Sequence, residues 1–128
     1  SVVPSSRFLV DQLLGHVDWK KARLVVEYGP GVGTFTGAML RRMRPDARLI
    51  AIELNDEFVE FLEASYPDPR LRVVRGSALD VDVTLREQGK GNTHADAIVS
   101  GIPFSTIDHD LRAQYVHFTH SAKHQSII

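Results

Sequence analysis

The chain has 128 residues, with 15 Lys plus Arg against 16 Asp plus Glu, a formal net charge of -1 and no cysteine. A length of this order supports one domain and buries a core without cross-links or metals. The charge balance excludes binding to nucleic acid or anionic lipid by bulk charge, and the missing cysteines exclude disulfides, thiolate metal sites and cysteine nucleophiles together.

A reducing compartment, the cytoplasm, is the expected location. No apolar run approaches the ~20 residues of a spanning helix, and the first residues lack the basic-then-apolar pattern of a signal peptide. The first residue is Ser rather than Met, so residues are expected upstream.

In chain order, Pro4-Ser-Ser-Arg-Phe-Leu-Val-Asp-Gln-Leu-Leu14 opens with capping serines and puts Phe8, Leu9, Leu13 and Val17 along one side of a helix. Residues 1–20 therefore read as a leading helix that covers a sheet, with a membrane-touching face as the alternative use. Leu24–Tyr28, Arg48–Ile52, Leu71–Val74 and Ala97–Ser100 are short apolar runs bounded by turn formers and predict four buried parallel strands.

Between them lie helical patterns at Thr34–Met43, at Asp56–Ser65 with Phe58, Phe61 and Leu62 on one face, and at Asp82–Gln88. Asn55 is placed to cap the second, with Asp56 and Glu57 where the helix dipole favours acids. Pro67-Asp-Pro69 and Gly89-Lys-Gly-Asn92 break the helices before the next strands.

The order β-α-β-α-β-α-β over residues 24–122 predicts an α/β fold, an open parallel sheet with helices on both faces. A last pattern, Asp108 to Ala122 with Leu111, Tyr115 and Phe118 at helical spacing, closes the fourth βα unit. A sheet ending there leaves Ala97-Ile-Val-Ser100 as an exposed apolar edge, which predicts pairing with further protein or with a second copy of the chain.

The glycine loop points to a ligand. A dinucleotide fingerprint requires G-x-G-x-x-G, yet Thr34 stands where its third glycine belongs, and no Gly-Lys-Ser or Gly-Lys-Thr follows to make a phosphate loop. The spacing is Glu27-x-Gly29-x-Gly31-x-Gly33. This resembles the first motif of class I S-adenosylmethionine-dependent methyltransferases, whose fold is a Rossmann-like sheet. The resemblance implies S-adenosylmethionine as cofactor, its amino-acid end and ribose lying over Glu27, Tyr28, Gly29, Pro30, Gly31, Gly33, Thr34 and Phe35. A carboxylate at 27 suits a ligand that carries an ammonium and a sulfonium.

Leu49-Ile-Ala-Ile-Glu53 then supplies the acid that a ribose-binding fold places at the end of its second strand, with Leu54 beside it. In the same family the third strand ends in a turn that contacts adenine. Gly76-Ser77-Ala78 matches that turn, with Ser77 in the place of an acid and Asp80 at the start of the next helix.

Ala95-Asp-Ala-Ile-Val-Ser-Gly-Ile-Pro-Phe104 resembles the Asn-Ile-Pro-Phe motif of ribosomal RNA adenine dimethyltransferases, with Ser100 in the carboxamide's place. Ser-Gly-Ile-Pro-Phe, the Pro4-Ser-Ser-Arg-Phe-Leu9 opening and the glycine loop together look more like bacterial phospholipid N-methyltransferases. That resemblance runs from about Pro4 to Leu111, and the family's sheet continues for three more strands, so the fold is expected to be truncated after its fourth unit.

The resemblance implies N-methylation of a phospholipid amine such as phosphatidylethanolamine by a protein peripheral to the membrane. Ser100 and the carbonyls of Gly101 and Ile102 would receive the amine's protons, Pro103 would set the turn, and Phe104 would face the growing positive charge. RNA adenine methylation is the alternative, but Lys20, Lys21, Arg23, Arg41, Arg42 and Arg44 are scattered and balanced by acids. A non-catalytic, oligomerising module that binds S-adenosylmethionine is another. His117, His120 and His124 recur at i, i+3 and i+7 with no carboxylate among them, and read as a solvated or interface face, not a metal site. His16, His94 and His109 read as loop or surface residues.

Overall fold

Every residue of Leu24–Tyr28 is buried, and a strand apolar on both faces must be covered on both sides. The computed structural model of the chain describes residues 10–77, 81–88, 95–100 and 126–127, and among these the cover is visible. A helical segment, α1 (residues 10–14), leads into β1 (Leu24–Tyr28), α2 (Thr34–Arg42), β2 (Arg48–Glu53), α3 (Asp56–Ser65), β3 (Leu71–Arg75), α4 (Val81–Gln88), β4 (Ala97–Ser100) and β5 (Ser126–Ile127).

The strands form one sheet in the order β3-β2-β1-β4-β5, and every pairing is parallel. The chain thus leaves β1 in one direction through β2 and β3 and returns to the other side of β1 for β4. That reversal makes the carboxyl ends of β1 and β4 a topological switch point, the place where open α/β sheets hold ligands in a crevice.

Alternate strand positions face opposite ways, and they sort the core into two clusters. Val25, Leu49, Ala97 and Val99 pack with Val10 and Leu14 of α1 and with Ala38, Met39 and Leu40 of α2. Leu24, Val26, Tyr28, Ile50, Ile52 and Ile98 pack with Leu85 of α4. Helices therefore cover both faces, as the apolar runs predict.

Three expectations need correction. Leu71–Val74 is not a buried strand: β3 is a half-buried edge whose exposed Arg72 and Arg75 protect it from pairing with other chains. Conversely, Ala97–Ser100 is no exposed edge, because β4 is buried throughout and pairs with β5 through Ile98↔Ser126 and Val99↔Ile127. The edge read as a seat for a second copy is taken, over these two residues, by the chain itself.

On α3 only Leu62 is buried, while Phe58 and Phe61 remain exposed, since the helix lies over the margin of the sheet. The buried side of the leading segment is formed by Val10, Leu14 and Val17, with Leu13 partly buried; Phe8 and Leu9 lie outside the described residues. So does the predicted helix of residues 108–122. Among the described residues no helix is long and apolar enough to cross a membrane.

Candidate active site

Strand register brings the site together. Tyr28, the last residue of β1, pairs with Ile52 on one side and Ser100 on the other, so Glu27, Glu53 and Ser100 all arrive at the same end of the sheet. The Gly29 N–H donates to the Ile52 carbonyl at 3.0 Å, and the Gly76 N–H to the Glu53 carbonyl at 2.9 Å. These bonds carry the ladders past the strand ends and set both turns beside Glu53.

Glu53 ties the site. Its Oε1 accepts the Gly31 N–H and its Oε2 the Asn55 N–H, both at 3.0 Å. A carboxylate has about four lone-pair sites, so two loop contacts leave acceptor capacity for ligand hydroxyls. Asn55 in turn caps α3, its Oδ1 accepting the Phe58 N–H at 3.1 Å, as its place in the sequence predicts.

The loop's glycines serve two different ends. Gly31 has a φ of +58°, and a Cβ there would meet nothing within 4 Å, so its backbone faces open space. Gly33 has a φ of +89°, and a Cβ there would lie 2.5 Å from Tyr66 Cε2 and 2.9 Å from Leu62 Cδ2. Gly31 thus leaves room for a ligand to approach its backbone, whereas Gly33 is a glycine of interior packing.

Glu27 lies inside the protein. It is fully buried, and its Oε1 accepts the Thr36 hydroxyl at 2.6 Å, while Oε2 has no partner among the described residues. Burial pushes its pKa from 4.5 up to about 8; the Thr36 hydrogen bond opposes this, and the nearby Glu53 charge adds to it. An unsatisfied oxygen this deep in the protein is costly, and Oε2 is the polar atom at the site that the described residues leave without a partner.

Of the other predicted residues, Pro30 is buried, and Thr34 and Leu54 are exposed at the rim. Tyr28 and Phe35 turn away from the crevice into the core, Tyr28 in the cluster with Leu85 and Phe35 against the cluster of α1 and α2. Gly76 and Ser77 are half-buried beside Glu53, and Ser100 is buried at the end of β4. Ala78, Gly101, Ile102, Pro103 and Phe104 lie outside the described residues, as do His94, His109, His117, His120 and His124. His16 is exposed.

Two contributors escape a reading of the sequence. Thr36 could have been suspected, since a buried Glu needs a donor and the first turn of the next helix is the nearest source. Tyr66 carries no such signal: its hydroxyl donates to the Gly33 carbonyl at 3.0 Å across 33 residues of chain.

The fit to S-adenosylmethionine rests on this geometry: an open backbone at Gly31, a strand-end carboxylate with spare acceptors, and a buried acid with an unpaired oxygen. Known proteins point the same way. The profile of the family described as ribosomal RNA adenine dimethylase matches residues 5–128. The chain belongs to the ribosomal RNA adenine dimethylase family. Methyltransferases of this type use S-adenosylmethionine as their cofactor.

Among individual relatives in this family and its surroundings, an ornithine lipid N-methyltransferase of Singulisphaera acidiphila is 32% identical over 113 residues, 88% of this chain and 58% of that protein. Ribosomal RNA small subunit methyltransferase A of Xanthomonas axonopodis pv. citri is 31% identical over 120 residues, 89% of this chain and 44% of that protein. The chain thus spans about half the length of the relatives it matches. A solved structure, StiE O-MT residues 942-1257, superposes with a TM-score of 0.56 at 15% identity, over 73% of this chain and 31% of that one, and establishes the fold alone.

Proposed function

We propose that the protein transfers a methyl group from S-adenosylmethionine to the amine of a lipid headgroup. When bound, the cofactor supplies an electrophilic methyl on a sulfonium, and an in-line displacement of this kind needs no nucleophilic side chain. The chain's part is to hold the cofactor with the backbone of residues 29–34, Glu53 and the Gly76-Ser77 turn, with the Glu27 carboxyl behind the loop. It must also keep the acceptor nitrogen unprotonated and dry.

Ser100 is the observation that carries the choice of acceptor. It ends β4 level with Tyr28, where a hydroxyl can accept a hydrogen bond from one N–H of a simple amine but cannot give the two-point grip that a carboxamide gives a planar nucleobase. The carbonyls of Gly101 and Ile102 would take part in holding the amine, and Phe104 would face the developing ammonium.

The arginines support this reading. Arg23 and Arg44 pair with Asp46, Arg42 with Asp11, Arg70 with Asp68 and Arg75 with Asp56, so much of the basic charge expected of an RNA-binding face is met within the protein. The similarity to an ornithine lipid N-methyltransferase favours a lipid, and that to ribosomal RNA methyltransferases favours adenine in RNA as the second reading. On the lipid reading the protein works in the cytoplasm, peripherally at the membrane that holds its acceptor.

The test offers the protein methyl-labelled S-adenosylmethionine with vesicles containing phosphatidylethanolamine or ornithine lipid, and separately with unmethylated small-subunit RNA. Label in the lipid is expected. Label in the RNA alone would overturn the acceptor, and cofactor binding without transfer to either would reduce the chain to a binding module.

A further inference from the structure

The segment between α3 and β3, Tyr66-Pro-Asp-Pro-Arg70, touches α2 at both ends. At the carboxyl end, the Arg70 guanidinium donates to the Leu40 and Met43 carbonyls at 2.8 Å each, satisfying acceptors that a helix end leaves open. Asp68 holds that guanidinium at 2.7 Å, and the same contact keeps the Asp68 carboxyl below the usual range. At the amino end stands Tyr66.

We propose that Tyr66 is a positioning residue of the cofactor loop, acting through the Gly33 carbonyl. The inference rests on the cofactor-site reading above and adds to it the group that fixes the loop's shape.

The Gly33 carbonyl accepts two donors, the Gly37 N–H at 2.9 Å from the first turn of α2 and the Tyr66 hydroxyl at 3.0 Å. A trans peptide is planar, so a carbonyl fixed in one direction turns the N–H of the next residue, Thr34, the opposite way. That N–H belongs to the first turn of α2, where N–H groups have no partner within the helix. The tyrosine hydroxyl thereby sets the direction of a donor at the ligand end of the loop without standing in the crevice.

The ring acts alongside the hydroxyl. It occupies the space a Cβ would need at Gly33 and lies 3.0 Å from where one would sit at Gly37, so it is wedged against both ends of the first helical turn. The α3 end holds the ring in place: the Tyr66 N–H donates to the Leu62 carbonyl and its own carbonyl accepts the Asp68 N–H at 2.8 Å. A second tether, Glu53 on the Gly31 N–H, acts on the other side of the loop. One glycine is thus held from the ligand side and the other from behind.

Calorimetric titration of S-adenosylhomocysteine, which carries the cofactor's adenosine and amino-acid groups, into wild type, Tyr66→Phe, Tyr66→Leu and Val17→Ala tests this, with melting temperature read on each. Tyr66→Phe keeps the ring and loses one hydrogen bond, so affinity should fall about fivefold with little change in melting temperature. Tyr66→Leu should bind more weakly still. Val17→Ala, in the core before β1, should lower the melting temperature and leave affinity unchanged.

Wild-type affinity in Tyr66→Phe would overturn the positioning role while leaving the cofactor site standing. An equal loss in Val17→Ala would also overturn it, since affinity would then follow global stability. A folded wild type that binds nothing would overturn the cofactor site and this inference together.

Discussion

Helices α2 and α3 differ by one residue in length and both follow a parallel strand, yet α2 buries Thr36, Gly37, Ala38, Met39 and Leu40 in succession whereas α3 buries Leu62 alone. Position in the sheet makes the difference. The α2 side chains meet Val25, Leu49, Ala97 and Val99 from three strands, while α3 lies against β2 and the half-buried edge β3. The difference teaches that the candidate site is hung on the central helix, where neighbours on all sides can fix a loop, and that the marginal helix serves mainly through its connector.

The strongest challenge to this comparison is Met39→Ala. Met39 is wholly buried at the centre, and removing its side chain should cost about 2–5 kcal/mol, seen as a lower midpoint in urea with an unchanged slope. A cost well under this range would mean that the centre is loosely packed.

A comparable effect is expected from the buried acid, and its sign is unusual for a carboxyl. The folded pKa of Glu27 is about 8 against an ordinary 4.5, so between these values the folded state keeps a proton that the unfolded chain has released. The stability this group contributes is then fully present below about 4.5 and is lost as pH rises through the window to about 8, by a few kcal/mol in all. Glu27→Gln mimics the neutral acid and still offers an oxygen to the Thr36 hydroxyl. Its melting temperature should therefore decline less between pH 5 and pH 8 than wild type does; parallel profiles would show that the centre of the sheet does not hold a protonated acid.

The loop itself sets the third test. Glu53→Ala strips the Gly31 and Asn55 N–H groups of their acceptor, and hydrogen bonds to a charged group contribute about 1.5–3 kcal/mol. Affinity for S-adenosylmethionine should drop about tenfold to a hundredfold, the calorimetric measure. An unaltered affinity would place the ligand elsewhere.

Much of this was legible in the sequence because it is local. The strands β1 and β4, the span of α3 and the Asn55 cap follow from apolar runs, helical spacing and a short polar side chain before an acidic turn. Glu53 was legible because strand ends meet at one edge of a parallel sheet. Periodicity says that a face is apolar but not how much sheet lies beneath it, which is why Phe58 and Phe61 share a face with buried Leu62 and yet stand exposed. Nor can spacing foresee β5 beside β4, or Tyr66 behind Gly33, because such contacts join residues remote in sequence. Gly33 shows the limit: the motif marks it as a glycine, but only the fold reveals that a tyrosine ring, not a ligand, fills its missing side chain's place.

The smallest effect is expected at Phe61→Ala. Phe61 is 47% exposed on α3, so a large part of its surface is already in water and truncation forfeits only part of an aromatic's transfer energy, about 1 kcal/mol or less. Cofactor affinity should be unchanged, because neither Leu62 nor the Tyr66 connector is disturbed. Set beside Met39→Ala, the pair measures the contrast between centre and margin directly. If Phe61→Ala instead costs as much as Met39→Ala, α3 is buried in solution by something that covers its outer face, and the margin of the sheet is an interface.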